Sequence, residues 1–235
     1  MPYRRLPNTD AARIKALQTA IDLGEKFSPR QLAFSATLLY KIKSFLPVFQ
    51  NNLQSYQHKK DRLSEETKTL HHFFKRAKMY LTHFIQVASF SVQRRELPED
   101  TKDYYNLPTF ESLPHIQSYD DLIVWSDKVL NGEMARTQKG LPPVINPTAG
   151  VVRVHYDHFL DQYQRWKILQ QSRDREQKKV QENRIKANQL VTELWDEVEQ
   201  SFSDLPGNHK RARAEEYGIR YVYRSNELRH IESIN

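Results

Sequence analysis

Three groupings of histidines and carboxylates have spacings that could do chemistry. Glu227 and His230 form a Glu-x-x-His pair, the unit from which di-iron carboxylate centres in helical proteins draw part of their ligand set. Such a centre needs two of these pairs and an inward Glu from each of two further helices. This chain has a single Glu-x-x-His and no acid between Lys26 and Lys60 or between Thr67 and Arg95. His155 and His158, with Asp157 and Asp161 beside them, could share a helix face and hold a divalent metal if a third ligand came from elsewhere. No such ligand is identifiable, so surface or core histidines are the simpler reading. His71 and His72 are neighbours and point in different directions on a helix. The chain has no Cys, which removes thiolate nucleophiles, disulfides and Cys-based metal sites. It also lacks a Gly-rich phosphate loop, a Gly-x-Ser-x-Gly elbow and a dinucleotide fingerprint. The expectation is a non-enzymatic protein with no cofactor and no metal.

The remaining chemistry is charge. Lys26 to Arg95 carries thirteen Lys/Arg against Asp61, Glu65 and Glu66, a net +10 in a chain whose total is +7. Lys41, Lys43, Lys59, Lys60, Arg62, Lys68, Lys75, Arg76 and Lys78 are the candidate anion- or partner-binding residues. A surface of this kind attracts nucleic acid through counterion release, or an acidic protein surface. Phe73, Phe74, Tyr80 and Phe84 are interleaved among the cations, but their spacing suits a helical core, whereas stacking on bases requires exposed rings. A neutralising partner also exists within the chain, because Glu96 to Leu130 sums to −6.

These residues need helices to position them, and helix start and stop signals are plentiful. Asn8-Thr9-Asp10 precedes a short amphipathic stretch that Gly24 would stop. Ser28-Pro29 reads as an N-cap with proline at the first helical position. Pro47 then predicts a kink near 43–47, with a break as the alternative. Ser64-Glu65-Glu66 reads as a new helix start and Arg94-Arg95 as its end, so 28–97 is expected to be a basic helical hairpin. The acidic, Pro-containing connector 98–146 holds one helix, capped at Ser118 and ending near Gly140. Asn146-Pro147 opens the last long segment. It is one helix or two through 147–206, with no Gly or Pro to break the polar stretch 170–179. A short basic helix and a strand-like Ile219 to Arg224 complete 207–235.

A faint duplication runs through this order. Ala77, Tyr80, Leu81, Phe84, Ile85, Ala88 and Val92 match Ala187, Leu190, Val191, Leu194, Trp195, Val198 and Phe202 at a shift of 110. Both segments run into Leu-Pro, and Tyr105-Asn106-Leu107 echoes Tyr217-Gly218-Ile219. The Arg4 to Asp10 opening, Arg95-Glu96-Leu97-Pro98 to Tyr104-Tyr105-Asn106-Leu107-Pro108, Asn146-Pro147-Thr148 and Tyr217 to Arg224 resemble a group of all-helical proteins from Bacteroidota. The resemblance spans nearly the whole chain and implies two related halves. It brings no assigned function and no catalytic residues.

The expected fold is all-α, a long-helix, four-helix-like bundle of two related halves, with a short helix in 1–27 and a short extended C-terminal segment. Only six Gly, together with abundant Gln, Glu, Lys, Arg and Leu, support long helices. No secretory signal and no apolar run of membrane-spanning length is visible, so a cytoplasmic protein is expected. The expected function is interaction or structural, through self-assembly or an acidic protein partner, with nucleic-acid binding on the Lys/Arg face of 41–78 as the alternative. The Ile219 to Arg224 strand could add to another chain, but pairing within this chain, for example with Tyr104 to Leu107, is the simpler outcome.

Overall fold

The structure, a computed structural model, describes residues 2–223. Among them the chain is all-α, in the order β1 (Tyr3–Arg4), α1 (Asp10–Lys26), α2 (Ala36–Gln93), α3 (Thr101–Tyr104), α4 (Tyr119–Gln138), α5 (Ala149–Ser201), α6 (Gly207–Glu215) and β2 (Tyr221–Val222). Two compact units are present. The first comprises residues 2–59 and 173–223 and the second Lys60–Ser172, so α2 and α5 each contribute to both. The units are therefore not the first and second halves of the sequence.

The expected hairpin of 28–97 does not form. Ser64, Glu65 and Glu66 lie in the interior of a continuous α2. The local N-cap signal is overridden there: Thr67 Oγ1 donates to the Leu63 carbonyl at 2.7 Å, and no Gly or Pro interrupts 57–69. The helix also continues through Pro47, so the alternative of a break is excluded. The segment 147–206 contains one long helix, α5, which passes unbroken through 170–179.

In the first unit, Thr9 caps α1 by accepting from the Ala12 N–H. Gly24 does not end α1, which runs on to Lys26; its missing Cβ leaves room for the Leu39 side chain, 2.5 Å from where a Cβ would stand. Ser28-Pro29 starts no helix. The cap of α2 is Ser35, whose Oγ accepts from the Leu38 N–H and whose N–H and hydroxyl donate to the Glu197 carboxylate. Leu17, Ile42, Phe49, Val191, Leu194, Trp195 and Val198 form the core, closed by Tyr217 and Ile219. The extended C-terminal piece pairs within this unit, but its partner is β1 and not Tyr104 to Leu107: Tyr3 faces Val222 and Arg4 faces Tyr221, antiparallel. Arg224, Glu227 and His230 lie outside the described residues.

In the second unit, α2 ends with Arg95 in the left-handed region (φ 62°). The Glu96 N–H returns to the Ser91 carbonyl and the Arg95 N–H to Val92, the Schellman arrangement that satisfies terminal carbonyls. Ser118 and Asp121 form a reciprocal capping box on α4. Asn146 is not the cap of α5; Thr148 is, accepting through its carbonyl from Val152 and through Oγ1 from Val151. Leu70, Leu81, Phe84, Leu122, Val129 and Phe159 are buried together with Tyr105 and Leu107. Gly132 is required where α3 crosses α4: a Cβ there would stand 2.0 Å from the Tyr104 carbonyl oxygen.

The two units use matched pieces. Leu81, Phe84, Ile85 and Ala88 are core residues of the second, and Val191, Leu194, Trp195 and Val198 of the first. Asn106 and Gly218 both take positive φ, 54° and 82°. Tyr105 and Asn106 donate to the Lys102 and Asp103 carbonyls, as Tyr217 and Gly218 do to Ala214 and Glu215. No helix among the described residues is long and apolar enough to cross a membrane.

Candidate interaction surface

The nine candidate cations all lie on α2, and the unit boundary divides them. Lys41, Lys43 and Lys59 belong to the first unit, and Lys60, Arg62, Lys68, Lys75, Arg76 and Lys78 to the second. The helix alone fixes their spacing.

In the first unit, Lys41 faces Glu193 and Lys43 faces Glu25, each at 3.5 Å. Exposed pairs at that distance contribute little. Lys59 is half-buried and has no ion pair among the described residues. In the second unit, Lys78 is committed, its Nζ donating to the Ile116 carbonyl at 2.6 Å. Lys60, Arg62, Lys68, Lys75 and Arg76 are exposed, and none is in an ion pair among the described residues.

The acidic connector was the obvious source of neutralisation, and four carboxylates in and beside it are used elsewhere. Glu96 pairs with Arg94 at 2.8 Å, Asp121 closes the α4 cap, Asp127 accepts from the Tyr156 hydroxyl and Glu133 is buried with Arg136. The connector reaches the cations through a backbone carbonyl, that of Ile116, and through no carboxylate among the described residues.

Along the same face, Lys68, His72, Lys75, Met79, His83 and Phe90 recur at steps of four, three, four, four and seven, the repeat of one helix stripe. All six are exposed, Met79 to 57% and Phe90 to 54%. The stripe thus combines cations with two large apolar side chains. The interleaved aromatics behave differently. Phe74 and Phe84 are core residues, Phe73 stacks on His158, and Tyr80 stacks on His155 with ring centroids 3.9 Å apart.

Those contacts also account for the two histidines singled out by spacing. Both pack on α2 aromatics. His155 is held below its ordinary pKa by burial first, then by the charges of Arg76 and His158. Among the described residues no group of three His, Asp or Glu is arranged to hold a metal.

Spacing alone did not reveal a buried polar centre in the second unit. The Glu133 carboxylate accepts from the Tyr105 hydroxyl at 2.6 Å, from Arg136 Nε and Nη2 at 2.9 and 3.0 Å, and from the Val144 N–H at 2.9 Å. Burial first, and the hydrogen bond to Glu133 second, push the Tyr105 phenol well above its ordinary range. A Glu-Arg pair three apart on a helix is ordinarily solvated; the signal was Gly132 beside it, which marks the face that another backbone approaches. Four bonds from this unit's own donors meet the Glu133 carboxylate, so the centre ties α4 to the residue after α3 and to the Val144 backbone, while Arg136 Nη1 is buried there without a hydrogen-bond partner among the described residues. The chain matches no protein-family model, no curated protein and no solved structure.

Proposed function

We propose that this is a non-enzymatic interaction protein that docks an acidic protein partner on the exposed face of α2 between residues 60 and 90. The observation that supports this reading is the stripe itself: Lys68 and Lys75, neither in an ion pair among the described residues, alongside exposed Met79 and Phe90. Cations steer an acidic surface into register, and apolar side chains supply contact area once water is excluded. A second copy of this chain is the other occupant considered, and nucleic acid the competing class. Base stacking is disfavoured because Phe73 and Tyr80 are already stacked on histidines. The reading includes a cytoplasmic setting and the likeness to all-helical Bacteroidota proteins.

The test compares the intact protein with Lys68→Glu/Lys75→Glu and with Met79→Ser/Phe90→Ser, none of which touches a core residue. Partner capture from the native host should be lost in both variants, and light scattering should report whether the captured partner is a second copy. Binding to duplex DNA with a steep negative salt slope, unchanged by the apolar pair of substitutions, would overturn the proposal in favour of phosphate recognition.

The two halves of the sequence also read as products of one duplication, with the matched segment of each lying in a different unit. Equivalent core positions, the same positive-φ tripeptide and the same pair of backbone bonds after it support this. Relatives that consist of a single half would strengthen the reading. Relatives in which the matched positions diverge independently would count against it.

A further inference from the structure

The first unit contains a cleft of about 460 Å³ that the α2 surface does not involve, a volume in the range of small-molecule sites. Its wall is made by the segment after β1, by α1, by α5 and by the segment joining α6 to β2. Arg5, Lys15 and Arg220 line it, with Glu215 as the single acid among the described residues. All three cations are exposed, and their side chains have no hydrogen-bond or ion-pair partner among the described residues. The apolar part of the wall includes Leu6, Ala16, Ile219 and Trp195. Trp195 is 2% exposed, and its indole Nε1 is buried without an acceptor among the described residues. A buried donor left unpaired is uncommon in a folded protein. The cleft is also where the two ends of the described chain are joined, since the Arg5 N–H donates to the Arg220 carbonyl at 2.8 Å.

We propose that this cleft binds a small organic anion, a carboxylate or phosphate group carried on an apolar body. The cations meet the anionic group, and the body lies against Trp195 and Ile219. Occupancy adds interactions to Arg5 and Arg220 together, so it also strengthens the pairing of β1 with β2. Nothing in this depends on the α2 surface, and substitutions at Lys68 and Lys75 leave it intact.

The experiment titrates the full chain, labelled with ¹⁵N, with phenyl phosphate, benzoate, inorganic phosphate and benzyl alcohol at low ionic strength. The aromatic anions are expected to shift the Trp195 indole N–H and the Arg5 amide saturably and to slow hydrogen exchange at Arg5. Their relative affinities tell phosphate from carboxylate. Inorganic phosphate, lacking the apolar body, and benzyl alcohol, lacking the charge, should each bind at least tenfold more weakly. Arg5→Ala/Arg220→Ala should weaken the aromatic anions at least tenfold, and the charge-matched control Arg30→Ala/Lys178→Ala by less than twofold. Lys15→Ala repeats the test without touching the residues beside the strands. Failure of both aromatic anions to shift these resonances overturns the proposal, as does equal loss in the control or equal binding of benzyl alcohol.

Discussion

Arg184 holds Asp10 through two hydrogen bonds, Nε to Oδ1 at 2.8 Å and Nη2 to Oδ2 at 2.6 Å, a two-point grip of α5 on the first turn of α1. Arg13 adds a third contact to the same carboxylate at 3.2 Å. The hydrogen bond from Arg184 is the main reason that the Asp10 carboxyl titrates below its ordinary value. A carboxylate with a lowered folded pKa contributes stability that is present above its unfolded pKa and is lost as pH falls through the folded one. Wild type should therefore lose its advantage over Asp10→Asn as the pH falls below about 4. At neutral pH Asp10→Asn should cost about 1 kcal/mol, because the pair is partly exposed. Urea melts of both proteins across pH 3 to 7 check this; a constant difference would remove the ion pair as its cause.

The Glu133–Arg136 pair should behave differently, because Arg136 is fully buried and Glu133 nearly so. Removing one partner leaves a charge without compensation in a site of low polarity, so Arg136→Met should destabilise by about 3–5 kcal/mol. Tyr105→Phe removes a single donor and should cost about 1–3 kcal/mol. The double variant should cost less than the sum, since both act on one carboxylate. Thermal or denaturant unfolding of the three variants gives the coupling; strict additivity would mean that the network does not act as a unit.

Gly132→Ala is expected to be as severe as a large core truncation despite adding one methyl group. The added Cβ meets the Tyr104 carbonyl oxygen at 2.0 Å, and backbone atoms cannot swing aside as a side-chain tip can. Loss of about 1–3 kcal/mol or more is expected. Gly24→Ala should be milder, because its neighbour is the flexible end of Leu39. Unfolding midpoints of the two variants measured side by side check the order.

Local grammar made some of this architecture readable. The Ser118–Asp121 box lies within four residues, and so does the Arg94-Arg95 terminus of α2. The start of α2 was not readable in the same way: Ser35 competes with the more obvious Ser28-Pro29 and is selected by Glu197, 162 positions away. Ser64-Glu65-Glu66 imitates a helix start in sequence, but Glu66 there accepts from Gln162 and Thr67 from the Trp166 indole, contacts that hold the segment inside one helix. The cations of the α2 stripe were legible from composition. That no connector carboxylate among the described residues pairs with those cations was not, since the summed charge of a segment does not say where its side chains are placed. The cleft of the first unit joins Arg5 to Arg220, and no local spacing could announce it.

The continuity of α2 can be tested at one residue. If 57–66 were a turn capped at Ser64, Glu65 would occupy the first helical position, where proline is well tolerated. Inside a continuous helix a proline at 65 removes a backbone hydrogen bond and clashes with the preceding turn, at about 3 kcal/mol. Glu65→Pro is therefore expected to destabilise strongly while Glu65→Ala is nearly neutral, as measured by circular dichroism during urea unfolding. A harmless Glu65→Pro would restore the hairpin.

The tripeptides Tyr105-Asn106-Leu107 and Tyr217-Gly218-Ile219 offer the sharpest test of the likeness between the two units. Each has a buried Tyr and a buried aliphatic residue around a central residue at positive φ, a region open to Gly and tolerated by Asn but strained for most other side chains. If the two corners do the same job, their central residues should be exchangeable. Asn106→Gly and Gly218→Asn should each change stability by less than about 1 kcal/mol, since Gly218 has only Thr19 in ordinary contact with an added Cβ. Valine at either position should cost clearly more, because a β-branched residue is a poor fit to this conformation. If Gly218→Asn were as damaging as Gly218→Val in paired unfolding measurements, the corners would share a backbone angle without being interchangeable, and the structural argument for duplication would fall back on the helix positions alone.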